Sequence, residues 1–181
     1  MPPCQNYFAH PLSRSSQVAA SNLADFAPGT KFQPVLLDPD FLSYSSNPEP
    51  ERIILCSGKI YYDLVAARKE RGLDGKVMIL RIEELAPFPW SPLKAALDMY
   101  LPSSKLTEVL WAQEEPKNQG PWPHVGVRLE AILEDLDAAG RRLKFVGRKE
   151  SPVPAVTGKT FQKQKDEVLE NAFVPFGTSN D

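Results

Sequence analysis

From residue 52 onward, short apolar runs alternate with segments whose apolar residues recur at helical spacing. Residues 53–56 form a continuous apolar run that ends at Ser57 and Gly58, which is typical of a buried parallel strand followed by a turn. Residues 60–68 then place apolar side chains on one helical face. A strand that is apolar on both faces needs a layer on each side of its sheet, so this pattern strongly constrains the fold.

The same alternation repeats three more times along the chain. Further strands are predicted at residues 77–80, 106–112 and 143–146, and further helices from residue 91, over 125–136 and over 162–173. Strands joined by short helical crossovers form mainly parallel sheets with right-handed connections. The sequence therefore predicts an α/β fold, with a mainly parallel sheet of four to five strands and flanking helices.

The first 51 residues are rich in proline, serine, asparagine and aspartate and show little periodicity, apart from an apolar run at residues 32–37. Pro34 lies within this run, so we expect an edge strand there at most. We therefore expect a linker over residues 1–51, an α/β domain over 52–175 and a tail over 176–181. Since the residues after Met1 read like the middle of a protein, we also expect a truncated or fragmentary chain.

The composition narrows the classes of function. A formal net charge of −2 argues against binding to nucleic acid or to a membrane surface. No apolar stretch approaches the roughly 18 residues of a membrane span, and residues 1–20 lack a targeting pattern. Cys4 and Cys56 lie far apart and form no disulfide framework, which favours a reducing compartment such as the cytosol or the mitochondrial matrix.

Polar side chains follow the predicted strands, at the sheet edge where open α/β folds bind ligands. One group is basic or hydroxyl-bearing and is a candidate anion or effector-binding site, which consists of Ser57, Lys59, Arg81 and Arg148. The alternative is that these cations form ordinary surface ion pairs, which contribute little to stability.

A second polar group follows the third strand and is predicted to be a shaped loop at an interface. Its members are Gln113, Glu114, Glu115, Asn118, Gly120 and Trp122. The alternative is a solvated acidic turn. Pro121 and Pro123 flank Trp122, and so rigid a presentation of an aromatic ring is typical of a packed interface.

Spacing argues against three other kinds of site. The glycine–lysine pairs at residues 58–59 and 158–159 both lack the earlier glycine of a phosphate-binding loop. Cys56 has no histidine nearby in the sequence, so burial is favoured over a nucleophilic role. His10 and His124 are not spaced with other ligands, and no metal site is predicted.

Four motifs resemble the C-terminal domain of the 2-oxoglutarate dehydrogenase decarboxylating component, a thiamine-dependent enzyme family. In chain order they read CSGKIYYDL, RIEELAPFP, QEEPKNQGPW and VGRKESPVPA, at residues 56–64, 81–89, 113–122 and 146–155. The resemblance covers about residues 26–173, and residues 28–33 resemble the segment that enters this domain from a preceding pyrimidine-binding domain. The last two motifs are most similar to the 2-oxoadipate dehydrogenase branch.

The resemblance implies a domain like the C-terminal domain of transketolase, in an enzyme that binds thiamine diphosphate and magnesium and decarboxylates a 2-oxo acid. The acyl group then passes to a lipoyl-bearing acyltransferase. No cofactor and no catalytic residue are expected in this segment, because the metal–diphosphate motif is absent and the activating glutamate of such enzymes belongs to a preceding domain. Glu114 and Glu115 are therefore not given that role. Phe161 stands where relatives usually place a histidine, which puts any ligand role of the preceding loop in doubt.

The leading hypothesis is a non-catalytic domain that supports the assembly of a homodimer and its active site. The loop at residues 113–122 would contact the preceding domains or the second subunit. The alternative is a regulatory module that binds a nucleotide or an acyl-CoA effector, and a third reading is a small enzyme that uses Cys56. The family implies the mitochondrial matrix in a eukaryote and the cytoplasm in a bacterium.

Overall fold

A computed structural model describes residues 23–44, 48–136, 142–153 and 158–174. Cys4, His10 and the tail expected at residues 176–181 lie outside these ranges, as do residues 1–22 and 45–47 of the expected linker. Within the described ranges, no helix is both long enough and apolar enough to cross a membrane.

The centre of the fold is a five-stranded sheet with the order β1-β3-β2-β4-β5. Its strands are β1 Val35–Leu36, β2 Arg52–Cys56, β3 Val77–Ile82, β4 Glu108–Pro116 and β5 Leu143–Arg148. Strands β2 to β5 run parallel to their neighbours, and only the short β1 is antiparallel to β3. The predicted α/β class with a mainly parallel sheet is confirmed.

Helices cover both faces of this sheet. They are α1 Pro39–Tyr44, α2 Ile60–Glu70, α3 Trp90–Tyr100, α4 Trp122–Asp135 and α5 Gly158–Ala172, and a short 3-10 helix spans Leu23–Phe26. Alternate residues of β2 enter different layers of core. Ile53 and Leu55 pack with α1, α3 and α4, whereas Ile54 and Cys56 pack with α2 and α5.

Strand β4 extends further than its sequence predicts. We expected the strand to end at residue 112 and Gln113, Glu114 and Glu115 to form a loop, but all three belong to the strand. The pairing with β5 shifts register between residues 112 and 116, so the strand continues past an irregularity before it pairs with Arg148. Only the next few residues form the turn into α4.

We expected residues 35–44 to belong to a linker, but they contribute a strand and a helix to the sheet and core. The Phe41 side chain is fully buried against Tyr100 of α3. Asp38 is also fully buried and forms an ion pair with Arg68 of α2, while it accepts hydrogen bonds from the backbone N–H groups of Phe41 and Ile79. These contacts attach β1 and α1 to the body of the domain.

Helix α5 has few apolar positions and packs across β4 and β5. Its end is held by the buried Arg52 guanidinium, which donates hydrogen bonds to the backbone carbonyls of Ala172 (2.9 Å) and Val174 (2.8 Å). The same guanidinium forms an ion pair with Glu108. A cation at this position satisfies carbonyls that the helix itself leaves without donors.

Candidate functional site

Gln113 organises the carboxyl end of β4. Its side chain is almost fully buried, and its Oε1 accepts hydrogen bonds from the Trp111 indole (2.9 Å) and from the backbone N–H of Trp122 (2.9 Å). Its Nε2 donates to the backbone carbonyls of Pro116 (3.0 Å) and Gln119 (2.8 Å). One amide therefore fixes both ends of the turn between β4 and α4.

The turn itself lies at the surface and has a defined shape. Gly120 has a φ of 65°, and a Cβ there would lie only 2.8 Å from the Cβ of Glu115, so the position requires glycine. The exposed Asn118 pairs with the main chain of Ser151, because its Nδ2 donates to the Ser151 carbonyl and its Oδ1 accepts from the Ser151 N–H, both at 3.1 Å. The turn is thus tied to the segment after β5.

Trp122 begins helix α4 and is half-buried. Its ring packs against Phe145 of β5, with the ring centroids 5.0 Å apart. A Cβ at Gly126 would contact three atoms of this indole at 3.2 Å, so the helix approaches the ring closely. The six residues predicted as an interface loop do lie together, but they are distributed over the end of β4, the turn and the start of α4.

The predicted anion-binding cations have partners within the chain. The Lys59 ammonium lies 2.8 Å from a carboxylate oxygen of Glu114 and 3.7 Å from one of Asp63. Lys165 of α5 lies 2.6 Å from the other oxygen of Asp63. Burial alone would lower the pKa of Lys59, but its hydrogen bond and charge interaction with Glu114 raise it overall.

Arg148 and Arg81 also make internal contacts, at separate places. Arg148 donates to the backbone carbonyl of Glu114 (2.8 Å) and to the Gln164 side chain (3.1 Å). The Arg81 guanidinium lies 4.1 Å from the centroid of the Tyr61 ring and 3.6 Å from Glu83. Lys59 and Arg148 therefore meet at the same glutamate, whereas Arg81 belongs to a second group.

Ser57 is half-buried in the turn between β2 and α2, where Gly58 has a φ of 74°. Lys59 follows and occupies the N-cap position of α2, without a capping hydrogen bond from its side chain. Ser57 and Lys59 follow β2 as expected, whereas Arg81 and Arg148 were expected in loops after strands and instead lie at the ends of β3 and β5. The Asp63 carboxylate beside Lys59 was not recognised in the sequence. Asp63 lies one helical turn after Lys59 in α2, and this i, i+4 spacing is the signal that predicts the pair.

Cys56 is completely buried, and this burial raises the pKa of its thiol far above the ordinary value. A thiol held in the neutral form is a poor nucleophile, which argues against an enzyme that uses Cys56. His124 contacts the backbone carbonyl of Leu85 through Nε2 at 2.9 Å. Across the residues that the structure describes, no three histidine, cysteine or acidic side chains are grouped to hold a metal ion.

A family model for the 2-oxoglutarate dehydrogenase C-terminal domain matches residues 20–173. The chain belongs to this 2-oxoglutarate dehydrogenase C-terminal family. The match confirms the resemblance that the four motifs carry. It also includes residues 35–44, whose strand and helix pack on the sheet.

The relatives of this chain include both 2-oxoglutarate and 2-oxoadipate dehydrogenases, the two branches that the motifs resemble. The chain is 37% identical over 166 residues to "2-oxoglutarate dehydrogenase, mitochondrial" of Caenorhabditis elegans, which covers 91% of this chain and 15% of that protein. It is 40% identical over 157 residues to the "2-oxoglutarate dehydrogenase E1 component" of Coxiella burnetii, covering 86% and 16%. It is 37% identical over 160 residues to the "2-oxoadipate dehydrogenase complex component E1" of Mus musculus, also covering 86% and 16%.

The family member thus spans 15–16% of the length of these relatives. The sequence identities to the 2-oxoglutarate and 2-oxoadipate dehydrogenase relatives are similar. Among solved structures, a "Split gene transketolase, inactive beta4 tetramer" is 18% identical with a TM-score of 0.47, over 81% of this chain and 43% of that one.

Proposed function

We propose that this chain is the C-terminal part of a 2-oxoglutarate or 2-oxoadipate dehydrogenase E1 component and supports its active site without taking part in the chemistry. In this proposal it packs against the preceding domains of the enzyme and against a second subunit. The assembled enzyme decarboxylates a 2-oxo acid with thiamine diphosphate and magnesium and delivers the acyl group to a lipoyl-bearing acyltransferase.

The observation that carries this proposal is the buried amide of Gln113. It makes hydrogen bonds to both ends of the turn at residues 116–122, which leaves Asn118 and Gly120 exposed on a turn of fixed shape. Such pre-organisation lowers the entropic cost of association, because the turn need not be ordered when a partner binds. A solvated acidic turn would not require a buried side chain to shape it.

The described residues do not fit a site for the metal and diphosphate of the cofactor. At this edge of the sheet, Glu114 pairs with Lys59 and Glu83 lies beside Arg81. These carboxylates are already neutralised, and a diphosphate would gain little from cations that are held by acids. In the proposal, thiamine diphosphate and magnesium are held by other parts of the enzyme.

The same ion pairs argue against the alternative of an anionic effector site built from Lys59 and Arg148. A phosphate group would have to displace Glu114 from Lys59 and would bring a second negative charge towards Asp63. Placing like charges next to each other costs free energy, which disfavours the binding of a phosphate group here.

A chimera tests the supporting role. The segment of the Coxiella burnetii E1 component that matches this chain is replaced by the 181 residues, and turnover of 2-oxoglutarate is compared with that of the same protein lacking the segment. We expect the chimera to regain turnover and the truncated protein to be inactive. A truncated protein as active as the parent would contradict a supporting role.

Within the chimera, Gln113→Ala should lower turnover because several buried polar groups lose their partner, at about 1–3 kcal/mol for each orphaned group. Gln162→Ala is the matched control, since Gln162 is exposed on α5 and its side chain donates a hydrogen bond to Asp166 of the same helix. If both variants turned over 2-oxoglutarate at the same rate, the proposal that the turn at residues 116–122 supports the active site would be wrong. By itself the chain should neither bind thiamine diphosphate in a calorimeter nor decarboxylate 2-oxoglutarate, and turnover by the isolated chain would refute the non-catalytic assignment.

A further inference from the structure

An aromatic platform lies beside the start of α4, and no element of the described chain covers it fully. We define it as Phe88, Trp90, His124, Val127 and Arg128. Trp90 is 47% exposed and Val127 is 62% exposed, although both lie in well-formed helices. Val127 is three residues from His124 on α4, so the two share one face of the helix.

The platform is rigid. The Phe88 ring meets Trp90 edge-on, with the centroids 5.0 Å apart, and it contacts the His124 ring at 6.1 Å. Pro87 and Pro89 flank Phe88, which restricts the backbone on both sides of the ring. His124 is fixed in turn by its contact with the carbonyl of Leu85. A partner would therefore meet a preformed surface.

Arg128 gives the platform a positive charge that no described residue neutralises. Its guanidinium donates to the backbone carbonyl of His124 and lies 5.9 Å from the centroid of the Phe88 ring. Among the residues that the structure describes, no carboxylate lies within ion-pair distance of it. By contrast, Arg52, Arg68 and Arg71 each have an acidic partner.

We infer that this platform docks onto the catalytic part of the E1 component, on an apolar surface that presents one carboxylate to Arg128. The inference rests on the proposed function and names the surface that serves it. Tryptophan, phenylalanine and arginine are enriched where protein interfaces gain most of their binding energy. Relatives carry this domain within chains that are six to seven times as long, about 85% of each lying outside the match, so a large partner surface is present in the same protein.

Hydroxyl-radical footprinting of the chimera described above tests the inference. Trp90 and Met99 lie near opposite ends of α3 and are both exposed in the isolated chain, at 47% and 65%, and both side chains oxidise readily. Burial in an interface core reduces exposure to a few per cent, so we expect Trp90 to be oxidised about tenfold more slowly in the chimera than in the isolated chain. Met99 serves as the internal control and should be oxidised at the same rate in both.

Two matched variants locate the contact. Val127→Asp places a charge on the platform, whereas Met99→Asp places one at the far end of α3, and neither side chain is part of the core. Both isolated variants should unfold at the same temperature as the parent chain. In the chimera, Val127→Asp should restore rapid oxidation of Trp90 and lower turnover at least severalfold, and Met99→Asp should change neither.

The outcomes separate this inference from the function on which it rests. If the chimera turns over 2-oxoglutarate but Trp90 remains as reactive as in the isolated chain, the docking face is wrong and the supporting role stands. If the chimera is inactive, but Trp90 is protected and Val127→Asp exposes Trp90 again, the proposed function is wrong and the docking face is retained. If the isolated chain sediments as a dimer that Val127→Asp dissociates, the occupant is a second copy of this chain, and the inference is wrong.

Discussion

Replacing Asp38 by alanine tests whether residues 35–44 are an integral part of the domain. The variant removes one member of a fully buried ion pair and leaves the Arg68 guanidinium at 1% exposure without its nearest carboxylate. It also removes the acceptor of the N–H groups of Phe41 and Ile79. The change therefore combines an uncompensated buried charge with orphaned backbone donors.

The cost follows from these losses. Breaking a buried ion pair by removing one partner costs about 3–5 kcal/mol, and a buried donor without an acceptor costs about 1–3 kcal/mol. Asp74 remains 3.0 Å from the Arg68 Nε and Asp40 lies 3.6 Å from its Nη2, which offsets part of the charge penalty. We expect a net loss of about 4 kcal/mol, or about 8–16 °C in the unfolding temperature for a chain of this size.

The assay is urea unfolding followed by far-ultraviolet circular dichroism, with Asp135→Ala as the control. Asp135 forms an ion pair with Lys94, but their side chains are 65% and 44% exposed, so its removal should cost below about 1 kcal/mol. If Asp38→Ala were no less stable than Asp135→Ala, the buried pair would not anchor the segment. Hydrogen exchange should also accelerate over residues 35–44 before it does so in β2.

Three further predictions concern other buried groups. Cys56 should resist thiol reagents until the chain unfolds, since burial raises its pKa, and labelling at the rate of an exposed thiol would contradict its place in the core. Arg52→Ala should cost about 3 kcal/mol and accelerate hydrogen exchange at the end of α5, because two carbonyls there lose their donor, whereas Arg71→Ala, at a surface pair, should change little. Burial, partly offset by Arg81, raises the pKa of Glu83 above its ordinary 4.5, so the folded chain binds the proton more tightly and loses stability as the pH rises through and above 4.5. The stability gain from Glu83→Gln, measured by urea unfolding, should therefore be larger at neutral pH than at pH 4, and a gain that does not depend on pH would show that Glu83 is not the titrating group.

The parallel strands were predictable because their signal is local. The apolar run at residues 53–56 is buried at every position, as a strand covered on both faces must be. The extension of β4 through Gln113 was not predictable in this way, because polar residues there read as a loop. Its burial depends on partners that lie nearby only after folding, such as the Trp111 indole beside it.

The candidate site shows the same division between local and long-range information. Sequence position alone placed Lys59 and Arg148 at one edge of the sheet, and the fold does bring both to Glu114. Whether such cations are available to a ligand depends on the acids that face them. These acids can come from distant parts of the chain, since Asp63 and Lys165 pair although 102 residues separate them. The pattern of charges in a sequence therefore indicates where an anion site could form, but ion pairing between distant elements decides whether its charge is available. Arg128 meets that criterion among the described residues, and reasoning from loops after strands did not consider it because it lies within a helix.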